Sequence, residues 1–244
     1  MRTLAIARAL WPVDLKNIRR DAGLIWFPIV PLVVALIIRW GVPAAARYAN
    51  AQWSFDLTAY YPLIMSAFVL MAPSVIGMVI GFLLLDERDD QVLTALLVTP
   101  IPLNGYVRYR VALPLVLGLA ATLLGYPIAN LLPINPVDLL AVAALGSLTG
   151  PMFALVLAAF APNKVAGFAL VKLLNAASML PIAAFFIGTN WQLIAGVFPS
   201  YWPLKVFWLA AQGQPYGGYL ALGLAVNLLA LWLVWQRFKM VVHR

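Results

Sequence analysis

Residues 61–90 read YPLIMSAFVLMAPSVIGMVIGFLLLDERDD. Twenty-five residues without a charged side chain run straight into four acidic residues within five positions. A bilayer's hydrocarbon core, about 30 Å thick, takes about 20 apolar residues as a helix. The stretch 61–85 therefore predicts a membrane-crossing helix whose charged end reaches water. The rest of the chain suits the same medium. Of its 244 residues, 64% are hydrophobic and 10% charged, and the mean hydropathy is +0.95. Soluble domains carry roughly 25% charged residues, so this chain has too little charge to wet the surface of a soluble fold. The composition predicts an all-α integral membrane protein and argues against a soluble enzyme or a disordered chain.

Outward from 61–85, five more stretches are long and apolar enough to cross: 23–38, 109–132, 138–161, 165–188 and 216–235. The stretch 191–210 (WQLIAGVFPSYWPLKVFWLA) nearly qualifies, but Pro199, Ser200, Pro203 and Lys205 interrupt it. Its aromatic residues, Trp191, Phe198, Tyr201, Trp202, Phe207 and Trp208, suit the membrane–water boundary. Residues 189–214 are thus expected to form short re-entrant helices in the outer leaflet. Six spans with both termini cytoplasmic place Arg2, Arg8, Lys16, Arg19, Arg20, Arg88, Arg108, Arg110, Lys164, Arg237, Lys239 and Arg244 inside. Only Arg39, Arg47 and Lys205 then lie outside, which is the cytoplasmic bias that sets orientation. A seventh span would invert the C-terminus and weaken that bias. The net charge of +8 belongs to this pattern, and no nucleic-acid partner is expected. The predicted location is the cell inner or plasma membrane.

Residues 1–20 precede the first span. Arg8 interrupts their apolar run, so they do not read as a secretory leader. Leu4, Ala7, Trp11, Leu15 and Ile18 recur at helical spacing away from Lys16, Arg19 and Arg20, which predicts a basic amphipathic helix on the inner leaflet, bent at Pro12. Pro28, Pro31, Pro62, Pro73, Pro114, Pro127, Pro151 and Pro181 fall in five of the spans and predict kinked helices. Gly77-x-x-x-Gly81 and Gly146-x-x-x-Gly150 permit close helix contact, expected within the molecule more than between copies.

Asp86, Glu87, Asp89 and Asp90 are half of the chain's eight acidic residues. After them, Asp89 or Asp90 suits a helix N-cap, Val92, Leu93, Leu96 and Leu97 share one face, and Thr99-Pro100 ends the pattern. That predicts a capped amphipathic helix over 90–99 within a cytoplasmic loop, 86–108, far longer than the 4–6 or so residues a connection needs.

The run Glu87-Arg88-Asp89-Asp90-Gln91-Val92-Leu93-Thr94-Ala95-Leu96-Leu97-Val98-Thr99-Pro100 resembles the signature loop of ABC-2 type ABC transporter permeases, E-[RK]-E-x-G-T-L-E-x-L-L-x-T-P. Glu87, Arg88, Leu93, Leu96, Leu97, Thr99 and Pro100 match, and Asp89 replaces Glu conservatively. Gln91, Val92 and Thr94 depart from it. The continuation Gly105-Tyr106-Val107-Arg108-Tyr109-Arg110 resembles the fluoroquinolone-export permease subgroup. The resemblance implies a single transmembrane permease domain over 1–244, and a short loop helix that couples it to ATPase subunits. Glu87, Arg88, Asp89, Asp90, Leu93, Leu96, Leu97, Thr99 and Pro100 are the implied contact residues. Two P-loop ABC ATPase copies and a second permease copy, homodimeric or related, complete the implied assembly, with membrane lipids around it. No GxxxxGK[ST] loop occurs in the chain. Accordingly no cofactor is expected here; ATP and Mg²⁺ would be bound by the partner.

Other chemistries find little purchase. There is no Cys, and the lone His is His243 near the end of the chain, so thiol sites and an intramembrane His base are not expected. A rhomboid-type protease would need Gly-x-Ser-Gly and a buried His. The single carboxylate cluster lacks a second motif to complete a metal site. An ion-coupled secondary transporter needs ionisable groups near the midplane, where no acidic residue is predicted. That class, with a non-ABC accessory membrane subunit, is the alternative to an ATP-driven exporter of amphipathic or hydrophobic small molecules. Lys172, Asn175, Ser178 and Asn227 are candidates for lining a pathway, with snorkelling of Lys172 and interhelical hydrogen bonding as their plainer uses. Asp138 reads as the N-cap of the fourth span.

Overall fold

The computed structural model describes residues 2–20, 24–90 and 103–242. Among them every regular element is helical: α1 (Arg2–Arg20), α2 (Val30–Trp53), α3 (Tyr61–Asp89), α4 (Leu103–Ala129), α5 (Pro136–Ser147), α6 (Thr149–Phe160), α7 (Lys164–Met179), α8 (Thr189–Gln192), α9 (Tyr201–Ala211) and α10 (Gly217–Val242). Short 3-10 turns lead into α2 and α3 and follow α7 and α8. Among the described residues six helical stretches are long and apolar enough to cross a membrane: Phe27–Trp53, Leu57–Asp89, Gly105–Ala129, Pro136–Phe160, Lys164–Phe186 and Gly217–Met240. They match the six expected spans, with boundaries moved by a few residues, except that the first continues to Trp53.

The second and fourth spans form the centre. They bury 89% and 72% of their apolar windows inside the molecule, whereas the other four bury between 11% and 28%. Glycine lets the two central helices touch. A Cβ built on Gly77 would overlap the carbonyl oxygen of Gly150, whose C and Cα atoms would lie 2.8 Å from it. A Cβ on Gly150 would in turn lie 2.9 Å from the carbonyl oxygen of Pro114 and 3.2 Å from that of Pro73. The expected small-residue patterns thus meet each other within one molecule. Between α5 and α6 the fourth span breaks at Leu148, since Pro151 has no N–H to offer the Ser147 carbonyl.

At the other ends of these helices the structure corrects three expectations. Arg39 and Arg47, expected beyond a first span ending at residue 38, lie within α2, and Arg39 donates to the Ile128 carbonyl at 3.0 Å. Asn135, rather than Asp138, caps α5, accepting from the Val137 N–H at 2.9 Å; Asp138 accepts from the Tyr216 hydroxyl at 2.6 Å instead. The third concerns the aromatic stretch. Trp191 is exposed, but Tyr201, Trp202, Phe207 and Trp208 are buried on α9, which packs against α3, α5 and α10. Aromatic residues read as boundary chemistry serve here as core. Asp56 caps the 3-10 turn before α3, and the hydrogen bonds from the Thr58 hydroxyl and N–H hold its carboxyl below the usual range.

Candidate functional site

Three carriers of charge that lie far apart in the chain meet where α3 and α4 approach the 91–102 connection. Arg110, two turns into α4, and Asp14 on α1 are fully buried, and Glu87 in the last turn of α3 is largely so. The guanidinium grips Asp14 with both forks, Nη1 to Oδ2 at 2.8 Å and Nη2 to Oδ1 at 3.0 Å. Nη2 also donates to Glu87 Oε1, and Nε donates to the Tyr106 hydroxyl at 3.2 Å. The Tyr106 hydroxyl donates to Glu87 Oε2, and the Tyr109 hydroxyl to Asp14 Oδ2 at 2.6 Å. Four of the five N–H groups a guanidinium offers are therefore used. Two hydroxyl donors supplement the single cation against two carboxylates. A buried ion of either sign is costly unless it is paired and hydrogen-bonded throughout, and this arrangement meets that requirement.

The spacing along the helices produces the cluster. Tyr106 and Arg110 are four apart, one turn along α4, so both reach the same neighbour. Asp14 sits three after Trp11 and four before Ile18, on the apolar stripe of α1 rather than its basic face.

The other residues at the end of α3 extend this clasp. Asp86 pairs with Lys164 at the start of α7 at 3.0 Å. Arg88 donates to the carbonyls of Ala158, Ala161 and Pro162 at 3.2, 2.8 and 2.9 Å, placing a cation at the carbonyl end of α6, where the helix dipole favours it. One turn of α3 is thus bonded to α4, α6 and α7, and reaches α1 through Arg110. Beside it lies a cavity of about 450 Å³, bordered by Asp14, Arg20, Asp86, Glu87, Asp89, Asp90 and Lys164. Among the described residues no group of three His, Cys, Asp or Glu is placed to hold a metal ion.

Of the expected contact residues, Glu87 and Arg88 turn inward to partners in the same chain, while Asp89 and Asp90 are exposed. Asp89 does not begin a following helix. It lies in the last turn of α3, and the Asp90 N–H donates to the Asp86 carbonyl at 2.8 Å. Leu93, Leu96, Leu97, Thr99 and Pro100, and the 90–99 helix itself beyond Asp90, lie outside the described residues. Of the four pathway candidates, Ser178 and Asn227 both adjoin Pro199. Lys172 is exposed on α7, Asn175 is half-buried there, and Ser178 borders a small cavity beside Pro199. Asn227 is buried and donates to the carbonyls of Pro199 and Gly223 at 3.0 and 2.9 Å. Asp14 and Arg110 were absent from the expected site. A lone acid on the apolar stripe of a basic helix was the available signal for Asp14.

Comparison with known proteins bears on the whole of this architecture. A family model described as "Fluoroquinolones export permease protein Rv2686c-like" matches residues 14–235. Two proteins of Mycobacterium tuberculosis, the fluoroquinolones export permease proteins Rv2686c (strain H37Rv) and MT2760 (strain CDC 1551), are each 32% identical over 229 residues. Each alignment covers 93% of this chain and 91% of the relative. No solved structure matches the chain. With six membrane-crossing helices, the loop-end signature and a match spanning nearly its full length, this chain belongs to the Rv2686c-like family of fluoroquinolones export permease proteins.

Proposed function

We propose that this chain is the transmembrane permease subunit of an ATP-driven ABC exporter of amphipathic or hydrophobic small molecules, drug-like or lipid-like. Family membership over residues 14–235 is the observation that carries the reading, and the relatives named for fluoroquinolones favour a drug-like cargo. A separate P-loop ATPase, present in two copies with its own ATP and Mg²⁺, drives two permease copies through the 90–99 helix. Both termini and that loop face the cytoplasm. The ionic hub gives this coupling a physical route. Because Glu87, at the end of α3, and Arg110, two turns into α4, are bonded to each other across the 91–102 connection, a push on the connection displaces α3 and α4 together. Asp14, Lys164 and the Arg88 contacts extend that displacement to α1, α7 and α6. An ion-coupled carrier fits less well, since Asp14 and Glu87 are engaged by Arg110 at the end of the bundle instead of standing at its middle.

Affinity purification of the intact membrane protein from its native host tests the partner. A P-loop ATPase is expected to co-purify, and Leu96→Asp, which places a charge on the apolar face of the 90–99 helix, is expected to reduce its recovery about tenfold or more, as loss of a buried anchor does. Recovery unchanged by Leu96→Asp would count against this contact.

A further inference from the structure

The strongest feature that the coupling reading leaves unused lies at the opposite end of α3. Trp208 Nε1 on α9 donates to Ser66 Oγ at 2.5 Å, near the first turns of α3. Glu87 stands roughly 30 Å further along that helix, at about 1.5 Å rise per residue. One turn before Trp208 on α9 comes Lys205, only 7% exposed although it is a lysine. Its Nζ donates to Gln192 Oε1 at 2.7 Å and lies 5.4 Å from the centroid of the Tyr219 ring. Among the described residues no carboxylate pairs with it. An ammonium has three N–H groups; the amide accepts one, and the ring adds only a weak attraction. Burial pushes its ionisation below the usual lysine range.

This ammonium borders an open cavity of about 500 Å³. Phe185, Trp208 and Tyr219 supply aromatic surface, and Gln192 and Gln212 supply amides. Phe185 and Trp208 meet edge to face at 5.5 Å, and the Ser66 hydrogen bond fixes the indole. The volume falls within the range of roughly 300–1,000 Å³ typical of small-molecule sites. A cation with spare donors, aromatic walls and amides that can accept or donate is the chemistry that recognises a planar ring bearing a carboxylate.

We propose that this cavity is a binding site for aromatic carboxylates, with Lys205 receiving the carboxylate and Trp208 and Tyr219 flanking the ring. Its use as a station for cargo leaving the bundle rests on the export function proposed above; binding itself does not. Occupation by an anion supplies the counter-charge that the fold leaves out.

The test uses the full-length protein in phosphatidylcholine nanodiscs, with equilibrium dialysis against naphthoate and against the neutral, similarly shaped naphthamide. Naphthoate is expected to bind at least about tenfold more tightly, the size of a charge-assisted hydrogen bond. Lys205→Met, which keeps the apolar stem, is expected to bring naphthoate down to the naphthamide level, and Lys205→Arg to keep the preference. Equal binding of the two probes by the unaltered protein overturns the assignment without any variant having to fold. So does a preference that survives Lys205→Met. Full displacement of naphthoate when phosphatidylglycerol enters the disc would assign the site to a lipid headgroup and overturn the aromatic ligand. ATP is absent from this assay, so failure here leaves the exporter reading standing, and loss of ATP-driven transport leaves the site standing.

Discussion

Arg110→Met is expected to give a protein that expresses poorly and melts far below the parent, with a loss of about 3–5 kcal/mol, the scale for removing one partner of a buried ionic cluster. The cause is what remains. Asp14 and Glu87 stay buried, lose the cation they share and repel each other, while Tyr106 and Tyr109 supply the remaining hydrogen bonds. Isosteric neutralisation separates this from a mere loss of volume. Arg110→Met combined with Asp14→Asn and Glu87→Gln removes all three formal charges and should recover a large part of the stability, because a buried pair replaced as a whole costs little. Melting followed by intrinsic tryptophan fluorescence in one detergent reads both variants. A triple variant no more stable than the single one would show that packing of the long arginine side chain, not charge compensation, holds the hub.

Gly77→Ala is expected to be the most damaging small substitution in the transmembrane core. Its methyl would overlap the backbone carbonyl of Gly150, and backbone cannot swing aside as a side-chain tip can. Gly150 is itself held against the Pro114 and Pro73 carbonyls, so relief requires α3 and α6 to separate. Overpacking of this kind costs roughly 1–3 kcal/mol and occasionally more, and here the upper end is expected. Gly146→Ala provides the contrast from the matching motif. Its nearest neighbour would be Val69 Cγ1 at 3.4 Å, an ordinary contact, and alanine favours helix over glycine by about 1 kcal/mol. That variant should melt at or slightly above the parent. Equal effects at the two positions would contradict the close crossing of α3 and α6.

These two sites differ in how far the sequence discloses them. Six spans, the N-terminal helix and the intramolecular meeting of the glycine motifs follow from apolar length and small-residue spacing, which are local properties. The hub does not, because Arg110 lies 96 positions from Asp14 and 23 from Glu87, and nothing local pairs them. Glu87 and Arg88 were legible as special, yet their matching of a loop signature pointed outward to a partner, whereas both side chains bond within the chain. The aromatic run on α9 failed for a different reason. A Trp or Tyr beside prolines reads alike at a membrane boundary and in a core, and only the packing of α3, α5 and α10 around it decides.

In the proposed mechanism, energy enters through the connection between α3 and α4 and is passed on by the hub. ATP-dependent transport into inside-out membrane vesicles carrying the permease and its co-purified ATPase measures it most directly, with a fluorescent amphipathic substrate and parent and 91–98 deletion variants side by side. The account predicts ATP-dependent accumulation by the parent and none above background by the deletion variant, whose tryptophan melting curve stays that of a folded bundle. ATP-dependent accumulation that survives the deletion, or accumulation by the parent with no ATPase present, would contradict it.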